Sequence, residues 1–133
     1  MKVFITEEFL ISSIQNEFSA IYPHLKLKFY VNPHGIYEGS AKNEELAPST
    51  PIDEIRNIHT AAWIDMGKNQ TAAGLESEFA RLLGLNAQVF RKSGNVWLET
   101  TATDGRTLGE LEASAAGSQF VTALPETDQN DMS

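Results

Sequence analysis

The chain has no cysteine among its 133 residues. Disulfides and thiolate ligands for metals or redox chemistry are therefore excluded, and a reducing compartment is compatible with the composition. The sequence also lacks any apolar stretch approaching the ~20 residues that a membrane-spanning helix needs. The N-terminus turns acidic at once, at Glu7 and Glu8, and does not have the form of a signal peptide. We therefore expect a cytoplasmic protein that does not engage a membrane.

Positive charge is scarce in this chain. Ten Lys and Arg residues stand against 18 Asp and Glu residues, for a formal net charge of −8. The acidic excess is shared evenly by the two halves, so neither half is a basic module. Long-range attraction to nucleic acid or to anionic lipid is disfavoured. The simplest role of the charge is to keep a small protein in solution.

Motifs that carry chemistry are missing as well. His24, His34 and His59 are too far apart in sequence to form a compact metal-binding pattern. There is no nucleophile elbow, phosphate-binding loop or dinucleotide fingerprint. The polar run 99–104 is more typical of a strand end and turn than of an acid–base site. The sequence therefore predicts no catalytic residue, no metal and no cofactor, and favours a non-enzymatic protein.

The clearest local pattern lies at residues 85–101, where two strand-like runs flank residues 93–95. This arrangement is typical of a β-hairpin. A helix is predicted just before it, over 71–83, with Gly84 in the position of a left-handed C-terminal cap. Residues 107–110 have the form of a capping box and predict the start of a short helix.

The first half of the chain predicts a similar order of elements. Thr6, followed by two glutamates, predicts the N-cap of a helix that ends at Pro23. Thr50 and Pro51 predict the start of a second helix that runs to about Ile58. Strands are predicted at 2–5, 25–31, 36–40 and, opening the second half, 61–66.

The two halves align with one another, at an offset of 61 positions through the helices and 60 positions in the strands that follow. Apolar character is shared by the pairs Val3 with Ile64, Phe18 with Phe79, Leu25 with Leu85, Leu27 with Ala87, Phe29 with Val89, Ile36 with Val96 and Tyr37 with Trp97. Each half is therefore predicted to be a β-α-β-β unit followed by a short helix.

A single β-α-β-β unit exposes an apolar sheet face that its one helix cannot cover, and pairing two units covers it. The sequence thus predicts an α+β fold in which duplicated β-α-β-β units form a mostly antiparallel sheet with two main helices. The predicted domain spans residues 1–116, with repeats at about 1–58 and 60–116. Residues 117–133 are predicted to form a C-terminal tail.

Residues 84–101 resemble a family of short, uncharacterised bacterial proteins that share the pattern GLNxQVFRKSGNxWLETTxTD. The first half is similar to the same family at 22–27 and 54–56, so the resemblance covers about residues 1–115. In the family an aromatic residue usually follows the Thr-Asp turn, whereas this chain has Gly105 and Arg106 there. The family has no established activity for the resemblance to imply. At the level of fold alone, tandem β-α-β-β units also resemble bacterial effector-binding domains of the gyrase-inhibitor type, which bind small molecules between their repeats.

The hairpin supplies the candidate binding residues. Arg91 and Lys92 place two cations beside a turn whose backbone N–H groups, together with Ser93, can hold a phosphate or carboxylate. With Trp97 they form a candidate site for an anionic small molecule in the groove between the repeats. A plain hairpin with solvated cations explains the same residues equally simply.

Aromatic residues point to a different role. Trp97 and Tyr37 occupy matching places in the two halves, and Trp63 lies on another strand. Such residues are more typical of a core or a subunit interface than of a ligand site. The leading hypothesis is a small protein-interaction module that forms a homo-oligomer, with a dimer favoured. The alternative is a sensor or carrier for an anionic small molecule.

Overall fold

The computed structural model describes residues 1–31, 45–55, 60–100 and 105–123, with side chains as far as Gly117. These residues form an α+β fold, as predicted. The elements are β1 (Lys2–Ile5), α1 (Ile11–Ile21), β2 (Leu25–Tyr30), a 3₁₀ helix (Ile52–Glu54), β3 (Ala62–Asp65), α2 (Ala72–Glu78) continued by a π-helix (Phe79–Leu83), β4 (Asn86–Ser93), β5 (Val96–Glu99) and α3 (Leu108–Ala123). The predicted strand at 36–40 and the end of the helix predicted to reach Ile58 lie outside the described residues.

The described strands form two antiparallel sheets rather than the one sheet predicted, and each sheet takes strands from both halves of the chain. One sheet pairs β1 with β3, with Val3 opposite Ile64. The other has the order β2-β4-β5, with Leu27 opposite Val89. The two halves are therefore joined by backbone hydrogen bonding at two separate places.

A single hydrophobic core lies between the sheets and helices. Ile5 and Ile64 enter it from the two-stranded sheet, and Phe29 enters it from β2. Phe18 of α1 and Phe79 at the end of α2 are fully buried in the same cluster. Because helix and strand residues from both halves share one core, the described residues pack as one structural unit.

Local sequence signals in the second half are confirmed. The β4–β5 hairpin turns at Gly94, which has a φ of 61°, and Gly84 ends the π-helix with a φ of 67°. Both angles lie in the left-handed region that glycine adopts without a steric penalty. The Thr71 hydroxyl accepts a hydrogen bond from Gly74 N at 2.9 Å and caps α2. The capping box at 107–110 is formed, with reciprocal hydrogen bonds of 2.9 and 3.1 Å.

The predicted start of the first helix is wrong. Thr6 lies in a turn, where its hydroxyl accepts a hydrogen bond from Glu8 N at 3.4 Å, and α1 begins only at Ile11. The cause is a pair of tertiary hydrogen bonds at the start of α1. Ile11 N donates to Thr50 O at 2.9 Å, and the next amide in α1 donates to Pro48 O at 2.8 Å. The connecting segment therefore satisfies the first-turn donors that a capping side chain would otherwise serve.

Two further helices differ from the prediction. After Pro51 the chain forms only the 3₁₀ helix Ile52–Glu54, where Ile52 N is held by Phe9 O at 3.1 Å. At the other end of the chain, the helix predicted to be short is α3, which has 16 residues and is the longest of the three described α-helices, so the prediction of two main helices is wrong.

Candidate functional site

Two large aromatic side chains lie exposed on the two-stranded sheet. Phe4 of β1 is directly opposite Trp63 of β3, and their ring centroids are 4.9 Å apart. The side chains are 43% and 58% exposed, respectively. Because side chains alternate along a strand, Ile5 and Ile64 point into the core while these two rings point outward. The outer face of this sheet therefore presents an apolar pair to solvent.

A charged pair lies beside these rings on the same face. Lys2 is opposite Asp65 in the register of β1 and β3. The Asp65 carboxylate accepts a hydrogen bond from Gly67 N at 2.9 Å through Oδ1, which lies 3.7 Å from the amino group of Met1. In the part of the chain that the structure describes, Lys2 has no ion-pair partner. Lys2, Phe4, Trp63 and Asp65 are called the aromatic face below.

A second surface combines lysines with aromatic rings on the three-stranded sheet. Lys26 Nζ lies 4.5 Å from the centroid of the Trp97 ring, and Lys92 Nζ lies 5.7 Å from the same centroid. Lys28 Nζ lies 4.9 Å from the centroid of the Phe90 ring. An ammonium at such distances is attracted to the electron-rich face of the ring. These five residues are called the lysine face below.

The lysine face carries three lysines, one of which pairs with a carboxylate. Burial, together with the positive charge of Lys28, lowers the pKa of Lys26, and the carboxylate of Glu45 partly opposes that effect. Glu45 Oε1 lies 3.4 Å from Lys28 Nζ. Lys26 and Lys92 have no ion-pair partner within the described ranges. An anion beside Trp97 would therefore oppose the effect of Lys28 on Lys26.

The structure brings together only part of the anion site predicted from the sequence. Lys92 and Trp97 are cross-strand neighbours on the lysine face. Arg91 alternates with Lys92 along β4, so it lies on the opposite face, between Leu25 and Leu98 in the register. By the same alternation Ser93 is on the Arg91 side of the sheet.

Three residues of the lysine face, Lys26, Lys28 and Phe90, were absent from the sequence-based site. Lys26 and Lys28 belong to β2, about sixty residues before the hairpin. Their alternation with apolar residues was the available signal, because it placed both on the wetter face of a strand. Their approach to Trp97 and Phe90 depends on the pairing of β2 with β4, which no local pattern reports.

A buried glutamate links α2 to the three-stranded sheet. Glu76 is only 9% exposed, and its Oε2 accepts a hydrogen bond from Val89 N at 2.9 Å. β5 ends at Glu99, and the hydroxyl of Thr100 donates to Val89 O at 3.0 Å. The carboxylate thus satisfies a backbone donor of β4 near the point where the ladder with β5 ends. This contact is structural support for the sheet, and sequence patterns did not reveal it.

The described part of the chain has few other features that could support binding or catalysis. That part contains no group of three or more His, Asp or Glu residues arranged to hold a metal ion. Among the helices it contains, none is both long and apolar enough to cross a membrane. A cavity of about 150 Å³ lies at the end of β2, beside the π-helix and the segment before the 3₁₀ helix. It is lined by Tyr30, Val31, Leu46, Ile55, Gly84, Leu85 and Asn86.

Tyr30, which lines this cavity, is expected to make the stability of the fold depend on pH. Burial, helped by the charges of Glu45 and Glu99, raises the pKa of Tyr30 to about 12. The unfolded chain ionises this group near pH 10, so stability should be unaffected below pH 10 and fall as the pH rises towards 12. The loss should approach about 2–3 kcal/mol at the upper end. Urea unfolding of the wild type and of Tyr30→Phe between pH 8 and pH 11.5 measures it. Parallel stability curves for the two proteins would contradict this assignment.

Comparisons of the chain with protein-family models, with curated proteins and with solved structures find no match. The resemblance of residues 84–101 to short bacterial proteins therefore stays a prediction.

Proposed function

We propose that this protein is a non-enzymatic interaction module that binds another protein through the aromatic face. The observation that carries the proposal is the exposed pair of Phe4 and Trp63, two large rings in contact on the solvent side of a sheet. Contiguous exposed apolar surface of this kind marks interaction sites, and aromatic residues dominate the energetics of protein interfaces.

The fold does not need these rings for its own core. The inward face of the two-stranded sheet is already closed by Ile5 and Ile64, which are fully buried. Burial of a large apolar side chain contributes about 1.5–3 kcal/mol. Much of that contribution is unrealised while Phe4 and Trp63 remain half in water, and a partner that covers them would recover it.

Photo-crosslinking in living cells tests the proposal. A photo-reactive amino acid at Trp63 is expected to give discrete adducts of higher mass. The same probe at Ala73, an exposed position on α2, is the matched control and is expected to give none. Adducts at both positions to the same degree, or at neither, would refute a specific interface at Trp63.

We also propose that the two halves are structural copies of one another. In an antiparallel pair related by two-fold symmetry, equivalent residues lie opposite each other at the axis. Val3 lies opposite Ile64, its counterpart at the offset of 61, and Lys28 lies opposite Gln88, its counterpart at the offset of 60. Both pairings support a pseudo-two-fold relation that passes through both sheets. A cytoplasmic location likewise remains a proposal, supported by the absence of cysteine.

The lysine face supports a second candidate function, the binding of an anionic small molecule. The specific observation in its favour is the approach of Lys26 and Lys92 to the same Trp97 ring. In a Trp63→Phe background, Trp97 is the only tryptophan, so its emission reports on this surface alone. Inorganic phosphate is expected to change that emission, and Lys26→Gln is expected to weaken the response. An equal response to chloride at matched ionic strength would reject a specific anion site.

A further inference from the structure

We propose that the partner covering the aromatic face is a second copy of this chain, an inference that rests on the function proposed above. The aromatic face carries its apolar and its charged pair in an order that is complementary to itself. Phe4 and Lys2 lie on β1, while Trp63 and Asp65 lie directly opposite them on β3. The same end of the two-stranded sheet therefore carries a cation on β1 and an anion on β3.

A two-fold axis between two such sheets, parallel to their strands, brings β1 of each copy over β3 of the other. Sheets stacked face to face in this way pack about 10 Å apart, within reach of interdigitating side chains. Lys2 then faces Asp65 of the second copy, and Phe4 faces Trp63 of the second copy. Each contact occurs twice, because a two-fold interface uses the same patch on both subunits.

The charged groups needed for this contact are available. The Lys2 side chain makes no ion pair within the described residues. The Asp65 side chain is 38% exposed, and its contacts with Gly67 and Met1 both use Oδ1. Its other carboxylate oxygen can therefore accept the ammonium group of the second copy. A partner with a negative charge opposite Asp65 or a positive charge opposite Lys2 would be repelled, which makes the face selective for its own pattern.

The size and charge of the surface set the expected strength of the association. A two-stranded face with four outward side chains is smaller than the about 800 Å² per partner of a standard stable interface. Each copy also carries a net charge of −8, which opposes association. The dimer should therefore be weak and reversible, with its population rising with protein concentration.

Sedimentation velocity on the full chain, from about 10 μM to about 1 mM, covers the range of weak complexes. The wild type is expected to shift from monomer to dimer across this range. Lys2→Glu places a carboxylate opposite each Asp65 and should raise the dissociation constant by about tenfold or more. Arg81→Glu changes the net charge equally at an exposed position of the π-helix and should alter the dissociation constant by less than about twofold.

The outcomes separate this inference from the proposed function. A wild type that stays monomeric throughout, or an equal loss of dimer in Lys2→Glu and Arg81→Glu, overturns the second copy as the partner. If the probe at Trp63 still crosslinks to other proteins in cells, the interaction module stands and only its partner is different. If it crosslinks to nothing, both proposals fall. Circular dichroism confirms that each variant is folded.

Discussion

Replacement of Phe79 by alanine is expected to lower the free energy of unfolding by about 3–5 kcal/mol. The Phe79 ring is fully buried and meets the edge of Phe29 at a centroid distance of 5.2 Å and an interplanar angle of 84°. It stands where α2 passes into the π-helix, and its carbonyl accepts a hydrogen bond from Leu85 N at 3.0 Å. A cavity at this point loosens the contact of the helix with β2. Urea unfolding followed by circular dichroism measures the change.

The expected loss is large beside the 5–15 kcal/mol typical of a whole domain. Phe79→Leu keeps most of the buried volume and should cost less than about 1.5 kcal/mol. That variant separates the effect of the cavity from any other effect of replacing the residue. A loss below 1 kcal/mol in Phe79→Ala would contradict the described packing of this ring.

Replacement of Glu76 by alanine is expected to cost about 1–3 kcal/mol, because it leaves the Val89 N–H buried without its acceptor. Glu76→Gln keeps an oxygen at the same place and should lose less, since the neutral amide still accepts a hydrogen bond. Hydrogen exchange at the Val89 amide is the direct measurement. Its protection should fall most in the alanine variant.

Glu17→Ala is the matched control for this experiment, because it removes a glutamate from an exposed position on α1. A surface substitution of that kind is expected to change stability by no more than about 0.5 kcal/mol. Equal effects at Glu76 and Glu17 would show that the buried carboxylate does not support the sheet. Unchanged protection of the Val89 amide in Glu76→Ala would contradict the hydrogen bond itself.

The sequence predicts the structure best where that structure depends on neighbouring residues. The left-handed conformation of Gly84 and the reciprocal hydrogen bonds of Thr107 and Glu110 are local, and both were predicted. The start of α1 was not, because the amide of Ile11 is satisfied by the carbonyl of Thr50, a residue far along the chain. Capping rules consider only the side chains next to a helix, so they placed the start at Thr6.

On the lysine face too, some contacts follow from the local sequence and others depend on distant residues. Lys92 and Trp97 are neighbours across a two-residue turn, so the hairpin alone predicts their contact. The separation of Arg91 from Lys92 also follows from the alternation of side chains in a strand. Lys26 joins them only through the register of β2 against β4. That register depends on contacts across the whole chain, which local patterns do not contain.

The pairing of strands from both halves has a consequence for how fast this protein folds. The β4–β5 hairpin closes through neighbouring residues, but Val3 must find Ile64, and Leu27 must find Val89, across about sixty intervening residues. The chain must lose loop-closure entropy before a contact between such distant residues can stabilise it. Folding therefore slows as contacts become less local. Among the described strand pairs, only β4 with β5 can form early. The aromatic face, which needs β1 and β3 side by side, can exist only once the two halves of the chain have met.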